Sequence, residues 1–243
     1  MADSSNTDGA KNICSGSIFD DEPFFKDVNV TSTSYLLKCI SFNMYGFNQG
    51  KTFVKCLANC ATAEIILLQE TWLSNNNVYK LINLVKHSYS CFTTSAMEDK
   101  LDGDVLFGRP FGGMAILVKN SLLKNVKCIF KNERCIVLKL GALIICNVYF
   151  PSNIENKSHC DEFNYLLFNL SELFQEHADS EIILGGDFNC HAILDQTDNS
   201  LHFKLMSLEI FVRKFGLIFA ETLCKCQLNY TYMNTSLRHS TKN

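Results

Sequence analysis

Residues 181–189 read EIILGGDFN, an apolar run that leads into two glycines, a carboxylate and a carboxamide. The short, dense apolar part is typical of a strand buried on both faces. The glycine pair lets the chain turn at the end of the strand and lets a ligand approach the backbone. If strand geometry continues, Asp187 and Asn189 project to the same side, where they suit a hard cation and a phosphate. The alternative interpretation is an ordinary turn that closes a buried strand, since Asp and Asn are common turn residues.

Length and composition indicate a globular protein. The chain has 243 residues, enough for one large domain or two small ones. Hydrophobic residues make up 47% of it and aromatic residues 12%, which excludes a disordered or fibrous chain. The net charge of −3 gives no general basic surface, so a nucleic-acid partner would need a local positive patch or a metal ion.

The twelve cysteines are scattered through apolar segments, where cysteine behaves as a small hydrophobic residue. No Cys-x-x-Cys pair occurs, and we expect reduced thiols. The N-terminus lacks the basic start and apolar core of a secretory signal, and no apolar run approaches the length of a membrane span. The sequence therefore predicts an intracellular protein, cytoplasmic or nuclear, that is neither secreted nor bound to a membrane.

The first half of the chain predicts a strand–helix–strand unit behind a polar tail. Residues 1–34 are rich in Ser, Asp, Asn and Thr and are predicted to be disordered. Strands are expected over 35–43 and 64–70, with a helix over about 51–61 between them, which is a parallel crossover unit. Asn43 and Glu70 then end at one edge of the sheet, where open α/β sheets bind their ligands.

The remainder predicts further helices and a set of antiparallel strands. A helix is expected over about 78–85 with Ser74 as its N-cap, followed by strands over 89–93 and 114–119 separated by a polar loop at 95–110. Strands over 128–131, 135–140 and 143–150 form consecutive hairpins. A third helix over 163–174, capped near Ser158, leads to the 181–189 strand, and a fourth over 201–215 ends at Gly216. Short strands are expected over 217–221 and 230–233.

Four predicted strands end on polar residues: Asn43, Glu70, Tyr149, and Asp187 with Asn189. Glu70 and Asp187 could hold a divalent metal ion such as Mg²⁺, which takes one or two carboxylates and keeps its waters. Asn43 and Asn189 could orient a phosphate or an attacking water. Tyr149 could donate a hydrogen bond to a phosphoryl oxygen in the transition state.

Five motifs occur in a recognisable order: SFN at 41–43, QETW at 69–72, GG at 112–113 followed by Ala115 and Ile116, NVYFP at 147–151, and GGDFN at 185–189. In this order they resemble the endonuclease/exonuclease/phosphatase superfamily, in particular the apurinic-type endonuclease domain of non-LTR (LINE-like) retrotransposons. The resemblance covers about residues 35–235. It is specific because QET and GDFN occur together, with the tyrosine strand between them.

The resemblance implies a four-layer α/β sandwich, with two mixed sheets face to face and helices outside, over an incomplete domain at 35–243. It implies Mg²⁺-dependent phosphodiester hydrolysis by an activated water, with Mn²⁺ as an alternative ion and DNA as the substrate. Glu70 resembles the metal ligand, and Asp187 is assigned both to the metal and to catalysis. Asn43 and Asn189 resemble residues that bind the phosphate and position the water, and Tyr149 the tyrosine that supports the transition state.

The sequence departs from the family pattern near its C-terminus. The family pattern continues with an Ile-Asp strand motif and then Ser-Asp-His, whose histidine acts on the scissile phosphate or in acid/base work. Neither follows Asn-Tyr-Thr-Tyr at 229–232. We therefore expect a truncated domain that lacks the last strands of one sheet and has little or no nuclease activity, because losing one member of a catalytic unit costs orders of magnitude.

Three further residues near the motifs have a functional and a structural interpretation. His191 could contact substrate, but a turn residue is the simpler interpretation. Arg109 could reach a phosphate, or it could be a solvated loop arginine. Trp72, the single tryptophan, is expected to pack beside the site rather than stack on a base.

Three functions remain open. The first is a metal-dependent DNA endonuclease of retroelement origin, a monomeric domain compatible with a former fusion to a reverse transcriptase. The second is another phosphoesterase of the same fold, acting on RNA, an inositol phosphate or a sphingolipid. The third is a non-catalytic remnant or binding module.

Overall fold

The structure is a computed structural model that describes residues 37–60, 63–102, 105–152, 157–189 and 199–219, with side chains from residue 203 onward in the last range. The predicted polar tail at 1–34 lies outside these ranges. The described strands are β1 (Cys39–Asn43), β2 (Ile65–Gln69), β3 (Tyr89–Thr94), β4 (Leu101–Asp102), β5 (Val105–Leu106), β6 (Met114–Lys119), β7 (Val126–Asn132), β8 (Cys135–Leu140), β9 (Leu143–Tyr149) and β10 (Glu181–Asp187). The α-helices are α1 (Phe47–Cys60), α2 (Tyr79–Val85), α3 (Lys157–Glu176) and α4 (Asn199–Lys214), and two 3₁₀ helices span Glu98–Lys100 and Asn120–Asn125.

Eight of the strands form two mixed four-stranded sheets. The first has the order β1-β2-β6-β3 and the second β10-β9-β8-β7, while β4 and β5 form a separate hairpin. Strands β1 and β2 pair in parallel, and so do β10 and β9, whereas the other pairs are antiparallel. Each sheet therefore contains one parallel pair, and the two carboxyl ends of that pair lie at the same edge of the sheet.

The two sheets pack face to face, and helices cover their outer faces. Ile65, Leu67, Ile116, Ile136 and Ile145 belong to one buried cluster that joins the sheets. A second cluster joins the first sheet to α1 and α2, and a third joins the second sheet to α3 and α4. This order of helices, sheet, sheet and helices confirms the predicted α/β sandwich.

Along β2 and β9, residues alternate between the inner and outer faces of the sheets, as the pleat requires. On β2, Ile65 and Leu67 face the other sheet, whereas Ile66 and Leu68 face the helices. On β9, Ile145 faces inward and Cys146 faces α3. The same alternation carries Asn147 and Tyr149 to the inner face, at the end where the apolar cluster stops.

The first two predicted helices are present with different starts. Helix α1 begins at Phe47, four residues before the predicted start, because Gly50 already donates its N–H to the carbonyl of Gly46. The prediction that Ser74 caps the second helix is wrong, because α2 begins at Tyr79 after Val78, which makes no side-chain cap. The Ser74 hydroxyl instead accepts a hydrogen bond from Asn77 at 3.0 Å, within a turn that precedes the helix.

The ends of the last two helices differ in how well they were predicted. Helix α3 starts at Lys157, so Ser158 lies inside its first turn and the prediction that it caps this helix is wrong. Helix α4 ends at Lys214, one residue before the predicted end, and Gly216, with a φ of 64°, terminates it as predicted. Gly216 donates to Arg213 and Leu217 donates to Val212, which satisfies two terminal carbonyls of the helix.

Two other expectations need correction. The segment at 95–110 is not a plain loop, because Leu101 pairs with Leu106 in the β4–β5 hairpin. Residues 217–219 are not a strand, and the rest of the two predicted C-terminal strands lies outside the described ranges. The predicted shortening of one sheet also concerns residues beyond 219.

The described part of the chain contains no helix that is both long and apolar enough to cross a lipid bilayer. The cysteines in these ranges are not paired in disulfides.

Candidate active site

The predicted site residues come from the carboxyl ends of the two parallel strand pairs. Asn43 ends β1 opposite Gln69 of β2, and Asp187 ends β10 opposite Tyr149 of β9. Since the two pairs belong to facing sheets, their ends meet at one edge of the sandwich. The structure thus brings Asn43, Glu70, Tyr149, Asp187 and Asn189 together, all partly buried.

Asn43 bridges two carboxylates that come from different sheets. Its Nδ2 donates to Oε1 of Glu70 at 3.1 Å and to Oδ2 of Asp187 at 2.8 Å. Because both oxygens bond to one nitrogen, they lie no farther apart than the two hydrogen bonds together, about 6 Å. The Oδ1 of Asn43 accepts the backbone N–H of Tyr45 at 2.9 Å, which fixes the orientation of the amide.

Tyr149 adds a hydroxyl donor to the same carboxylate. Its OH donates to Oε1 of Glu70 at 3.1 Å. Burial raises the pKa of Tyr149 well above its usual value, and the negative charge and hydrogen bond of Glu70 raise it further, with Asp187 adding a smaller effect. The guanidinium of Arg134, 5.2 Å from the centre of the ring, opposes this and lowers the pKa. The phenol therefore remains a neutral donor across the physiological range.

Asn189 does not continue the strand, so the condition for the expected same-side projection of Asp187 and Asn189 is not met. Asn189 has a φ of 46°, and its N–H donates to Oδ1 of Asp187 at 3.1 Å. This is an Asx turn, in which the carboxylate caps the backbone two residues later. The Nδ2 of Asn189 donates to the carbonyl of Phe150 at 2.7 Å, which ties the end of β10 to the end of β9. One Asp187 oxygen thus closes the turn while the other faces Asn43.

Glu70 reaches the site by leaving the strand in a left-handed conformation, with a φ of 51°. Its carbonyl accepts the N–H of Gly46 at 2.8 Å, and the next residue, Thr71, donates to Gly113 at 3.0 Å. A glutamate in this region of φ and ψ is uncommon and is held there only by surrounding bonds. The side chain of Glu70 is therefore aimed across the crevice rather than along β2.

The glycine pair of the opening motif has two distinct roles. A Cβ on Gly186, whose φ is 138°, would collide with the backbone of Val148 on the neighbouring strand. A Cβ on Gly185 would lie 2.6 Å from Cδ1 of Leu67 in the facing sheet. Gly186 therefore permits the local course of β10, and Gly185 permits the close approach of the two sheets just below Asp187.

A buried amide, Asn147, joins the two sheets one layer below the site. Its Oδ1 accepts from Nε2 of Gln69 at 2.7 Å, and its Nδ2 donates to the carbonyls of Leu68 and Ala115 at 2.9 and 3.0 Å. Asn147 belongs to the NVYFP motif, but its role was not predicted from the sequence. Its position two residues before Tyr149, on the same face of a strand, was the available signal.

Lys204 was also missed. This lysine of α4 is only 1% exposed, and its ammonium donates to the carbonyls of Pro151 and of Asn189, the latter at 3.0 Å. It therefore connects α4 to the segments that follow both β9 and β10. Its spacing of four residues from Leu208 placed it on the apolar stripe of the helix, which is an unusual position for a lysine.

Of the two residues assigned to substrate binding, only Arg109 lies within the described part of the chain. Arg109 lies beside the site, with its guanidinium 5.4 Å from the centre of the Trp72 ring. His191 lies outside the described residues. Within the described ranges no group of three or more His, Cys, Asp or Glu side chains converges, so Glu70 and Asp187 have no third such neighbour there.

The protein is an α/β sandwich with a candidate site at one edge of its sheets. This class is defined by two facing mixed sheets, helices on both outer faces, and a polar cluster at the carboxyl ends of the parallel strand pairs. The sequence profile of the Endonuclease/Exonuclease/phosphatase family matches residues 40–241. The chain belongs to this family. No curated protein sequence matches it significantly.

Solved structures with the same fold include two of one Neisseria protein. The chain is 15% identical to the 3′ phosphatase NExo from Neisseria bound to a product DNA hairpin, with a TM-score of 0.55 over 73% of this chain and 71% of that one. A structure of the 3′-5′ exonuclease NExo from Neisseria meningitidis gives 15% identity and a TM-score of 0.52 over 72% and 70%. An AP endonuclease from Archaeoglobus fulgidus gives 15% and 0.51 over 74% and 71%. At this identity the likeness establishes the fold.

Proposed function

We propose that the chain hydrolyses phosphodiester bonds in DNA with the help of a divalent metal ion, as an endonuclease of the non-LTR retrotransposon type. The observation that carries the proposal is the Asn43 bridge, which draws Glu70 and Asp187 from opposite sheets to within about 6 Å of each other. Membership of a family of nucleases and phosphatases supports the reaction class. We also propose an intracellular location, cytoplasmic or nuclear, because the proposed substrate is DNA.

The donor set fits a hard divalent cation. Glu70 and Asp187 would hold the ion with carboxylate oxygens, the ligands that Mg²⁺ prefers in proteins. Such an ion supplies Lewis-acid stabilisation of the phosphate and lowers the pKa of a bound water. We propose Mg²⁺, with Mn²⁺ as the substitute, and Glu70 and Asp187 as the residues that hold it.

The remaining side chains have roles that follow from their donors and acceptors. The Tyr149 hydroxyl keeps its proton because burial and Glu70 raise its pKa, so it can donate to a phosphoryl oxygen as negative charge develops there. Both N–H groups of Asn43 donate to the two carboxylates, so Asn43 could bind the same phosphate only if the metal ion took over one of these carboxylate oxygens. The carboxamide oxygen of Asn189 can accept a hydrogen bond from the attacking water, while its Nδ2 holds the Phe150 carbonyl.

DNA is the proposed substrate because structures of the same fold handle DNA. One is bound to a product DNA hairpin, and another is an AP endonuclease. The retroelement assignment rests on the five motifs and their order, and a former reverse-transcriptase fusion is part of the same proposal. The decisive assay is one in which enzyme exceeds substrate, so that a single slow turnover is detected.

The experiment is single-turnover nicking of supercoiled plasmid, with Mg²⁺, with Mn²⁺ and with EDTA. Wild-type protein is expected to nick slowly with either ion and not at all in EDTA. Glu70→Gln and Asp187→Asn are expected to lower the rate by about 10²-fold or more, since each removes a charge from the site. Glu172→Gln on the exposed face of α3 is the matched control and is expected to nick like wild type.

Nicking that survives EDTA, or that is equal in Glu70→Gln and Glu172→Gln, contradicts the proposal. Calorimetric titration with Mn²⁺ separates the remaining alternatives. No nicking together with no Glu70-dependent ion binding identifies the non-catalytic remnant. Ion binding without nicking, but with release of phosphate from a panel of phosphoesters, identifies the other phosphoesterase.

A further inference from the structure

An exposed surface of aromatic and cationic side chains borders the site on the side of β1 and β2. We call it the Tyr45 platform and define it as Tyr45, Trp72 and Arg109. The rings of Tyr45 and Trp72 lie 5.2 Å apart and are tilted by 52°. Arg109 lies over the Trp72 ring and donates to the Tyr45 hydroxyl at 3.4 Å. Phe107 and Phe111, on either side of Arg109 in the chain, are 64% and 42% exposed and extend the apolar border.

Two residues of the platform have strained backbones that hydrogen bonds hold in place. Tyr45 and Trp72 both have left-handed backbones, with φ values of 49° and 53°. Asn43 fixes the first by accepting the N–H of Tyr45, and Gly112 fixes the second by accepting the N–H of Trp72 at 2.9 Å. A Cβ on Gly46 would collide with the Trp72 ring, so the indole packs directly against backbone.

Core packing does not explain this strain, because the Tyr45 side chain that it presents is 50% exposed. Non-glycine residues in this conformation persist where the surrounding structure enforces them, and they concentrate at functional sites. Here the enforcing residue, Asn43, is the one that bridges Glu70 and Asp187. The position of the platform is thus coupled to the position of the two carboxylates.

The chemistry of the platform suits a nucleotide that has left the base stack. An exposed tyrosine ring offers a stacking face to any base, and a guanidinium offers a fork to a phosphate. Tyr45 follows Asn43 by two residues and Trp72 follows Glu70 by two, so the platform lies next to the carboxylates, where a nucleoside adjoining a phosphodiester at these carboxylates could reach it. The chain carries a net charge of −3, so binding must come from local contacts of this kind.

We propose that the Tyr45 platform binds an unpaired nucleotide adjacent to the scissile phosphate, with its base on Tyr45 and a phosphate on Arg109. This rests on the proposed function and adds a substrate preference to it: DNA that is single-stranded, or open at the cut, is bound in preference to intact duplex. Within the platform, Trp72 packs against Tyr45 and Arg109, and we assign it a supporting role rather than stacking on a base.

Trp72 also provides the test, since it is the only tryptophan of the chain. Its fluorescence is followed while a 12-nucleotide single strand, or the same sequence as a blunt duplex, is added in EDTA so that no cleavage occurs. We expect fluorescence to change on binding, with the single strand bound at least 10-fold more tightly than the duplex. Equal affinity for the two forms, or no fluorescence change, overturns the proposal.

Variants identify the residues responsible. Tyr45→Asn removes the ring but suits the left-handed backbone, and it is expected to weaken single-strand binding by roughly 5- to 100-fold. Tyr45→Phe keeps the ring and is expected to bind within about 3-fold of wild type. Arg109→Ala is expected to weaken binding and to reduce the slope of log affinity against log salt by about 0.7.

Tyr165→Ala and Arg213→Ala, both on exposed helix positions, are the matched controls and are expected to bind like wild type. Thermal melting verifies that each variant is folded. If Tyr45→Asn binds like Tyr165→Ala, the proposal is wrong even if plasmid nicking succeeds. Conversely, Tyr45-dependent binding without any nicking refutes only the proposed hydrolysis.

Discussion

Replacing Asn147 by leucine tests whether the buried amide between the sheets holds the site together. The substitution nearly preserves side-chain volume but removes three buried hydrogen bonds, one from Gln69 and two to the carbonyls of Leu68 and Ala115. The Gln69 amide keeps the Ser41 hydroxyl at 3.2 Å, so its loss is partial. The two carbonyls of the first sheet lose a buried donor outright.

The expected cost follows from these contacts. A buried polar group that loses its partner costs about 1–3 kcal/mol, so the two carbonyls together cost about 2–6 kcal/mol and the Gln69 amide, which keeps the Ser41 hydroxyl, adds about 1 kcal/mol. Burial of the additional apolar surface of leucine returns about 1–2 kcal/mol. The free energy of unfolding is thus expected to fall by about 1–6 kcal/mol, which lowers Tm by roughly 2–25 °C in a domain of this size.

The chain provides a matched control in Asn169 of α3. The Nδ2 atom of Asn169 is buried and has no hydrogen-bond partner among the described residues. Asn169→Leu removes an unpaired buried amide, so it is expected to change the free energy of unfolding by less than about 1 kcal/mol or to increase it. Urea unfolding at neutral pH, read by circular dichroism, compares the two variants directly. If Asn147→Leu is as stable as Asn169→Leu, the inter-sheet amide does not stabilise the sandwich and the reasoning fails.

Three further predictions concern a glycine, two buried thiols and a tyrosine hydroxyl. Gly186→Ala is expected to cost more than about 4 kcal/mol or to prevent folding, because its Cβ meets the backbone of β9. The control is Gly141→Ala, at a φ of 60° with open space around it, which is expected to cost about 1–2 kcal/mol. Equal urea midpoints of the two variants contradict this prediction. Burial raises the pKa of the Cys146 thiol well above its usual value and that of Cys91 to about 12. The unfolded chain therefore loses these protons at a lower pH than the folded chain, so stability is full below about pH 8.5 and falls as pH rises toward about 12. Identical urea midpoints at about pH 7.5 and about pH 10 refute this prediction. Tyr149→Phe is expected to lower the single-turnover nicking rate by about 10²-fold while Mn²⁺ affinity changes less than about 3-fold, and a variant that nicks at the wild-type rate excludes the tyrosine as a donor.

The sequence predicted the strands well because each is a dense apolar run bounded by polar residues. Ile65–Gln69 and Glu181–Asp187 are such runs, and their polar ends fall within a residue of the predicted positions. Pairing of parallel strands then brings these ends to one edge whatever the details of the loops. The grouping of Asn43, Glu70, Tyr149 and Asp187 follows from that rule.

Helix starts and turn conformations were not predictable in the same way. Ser74 and Ser158 are good N-cap residues, but the first is bonded to Asn77 in a turn and the second lies inside α3. Propensity alone does not decide between a cap and a turn, because both use the same side-chain oxygen. The left-handed backbone of Glu70 had no signal in sequence, since the bonds that enforce it come from Gly46 and Gly113, distant in the chain.

The alternation of β-strands explains why the site and the inter-sheet core share the same strands. Ser41 and Asn43, Gln69, Asn147 and Tyr149, and Gly185 and Asp187 all occupy inward positions in which the apolar residues between the sheets give way to polar ones. The last apolar layer is followed by the Asn147–Gln69 bridge, and the bridge by the layer of Tyr149, Asp187 and Asn43. Each step of two residues advances one layer, so the distance between the sheets at the bridge sets the distance across the site. A change at Asn147 should therefore alter metal affinity and nicking as well as stability, although the residue contacts neither carboxylate.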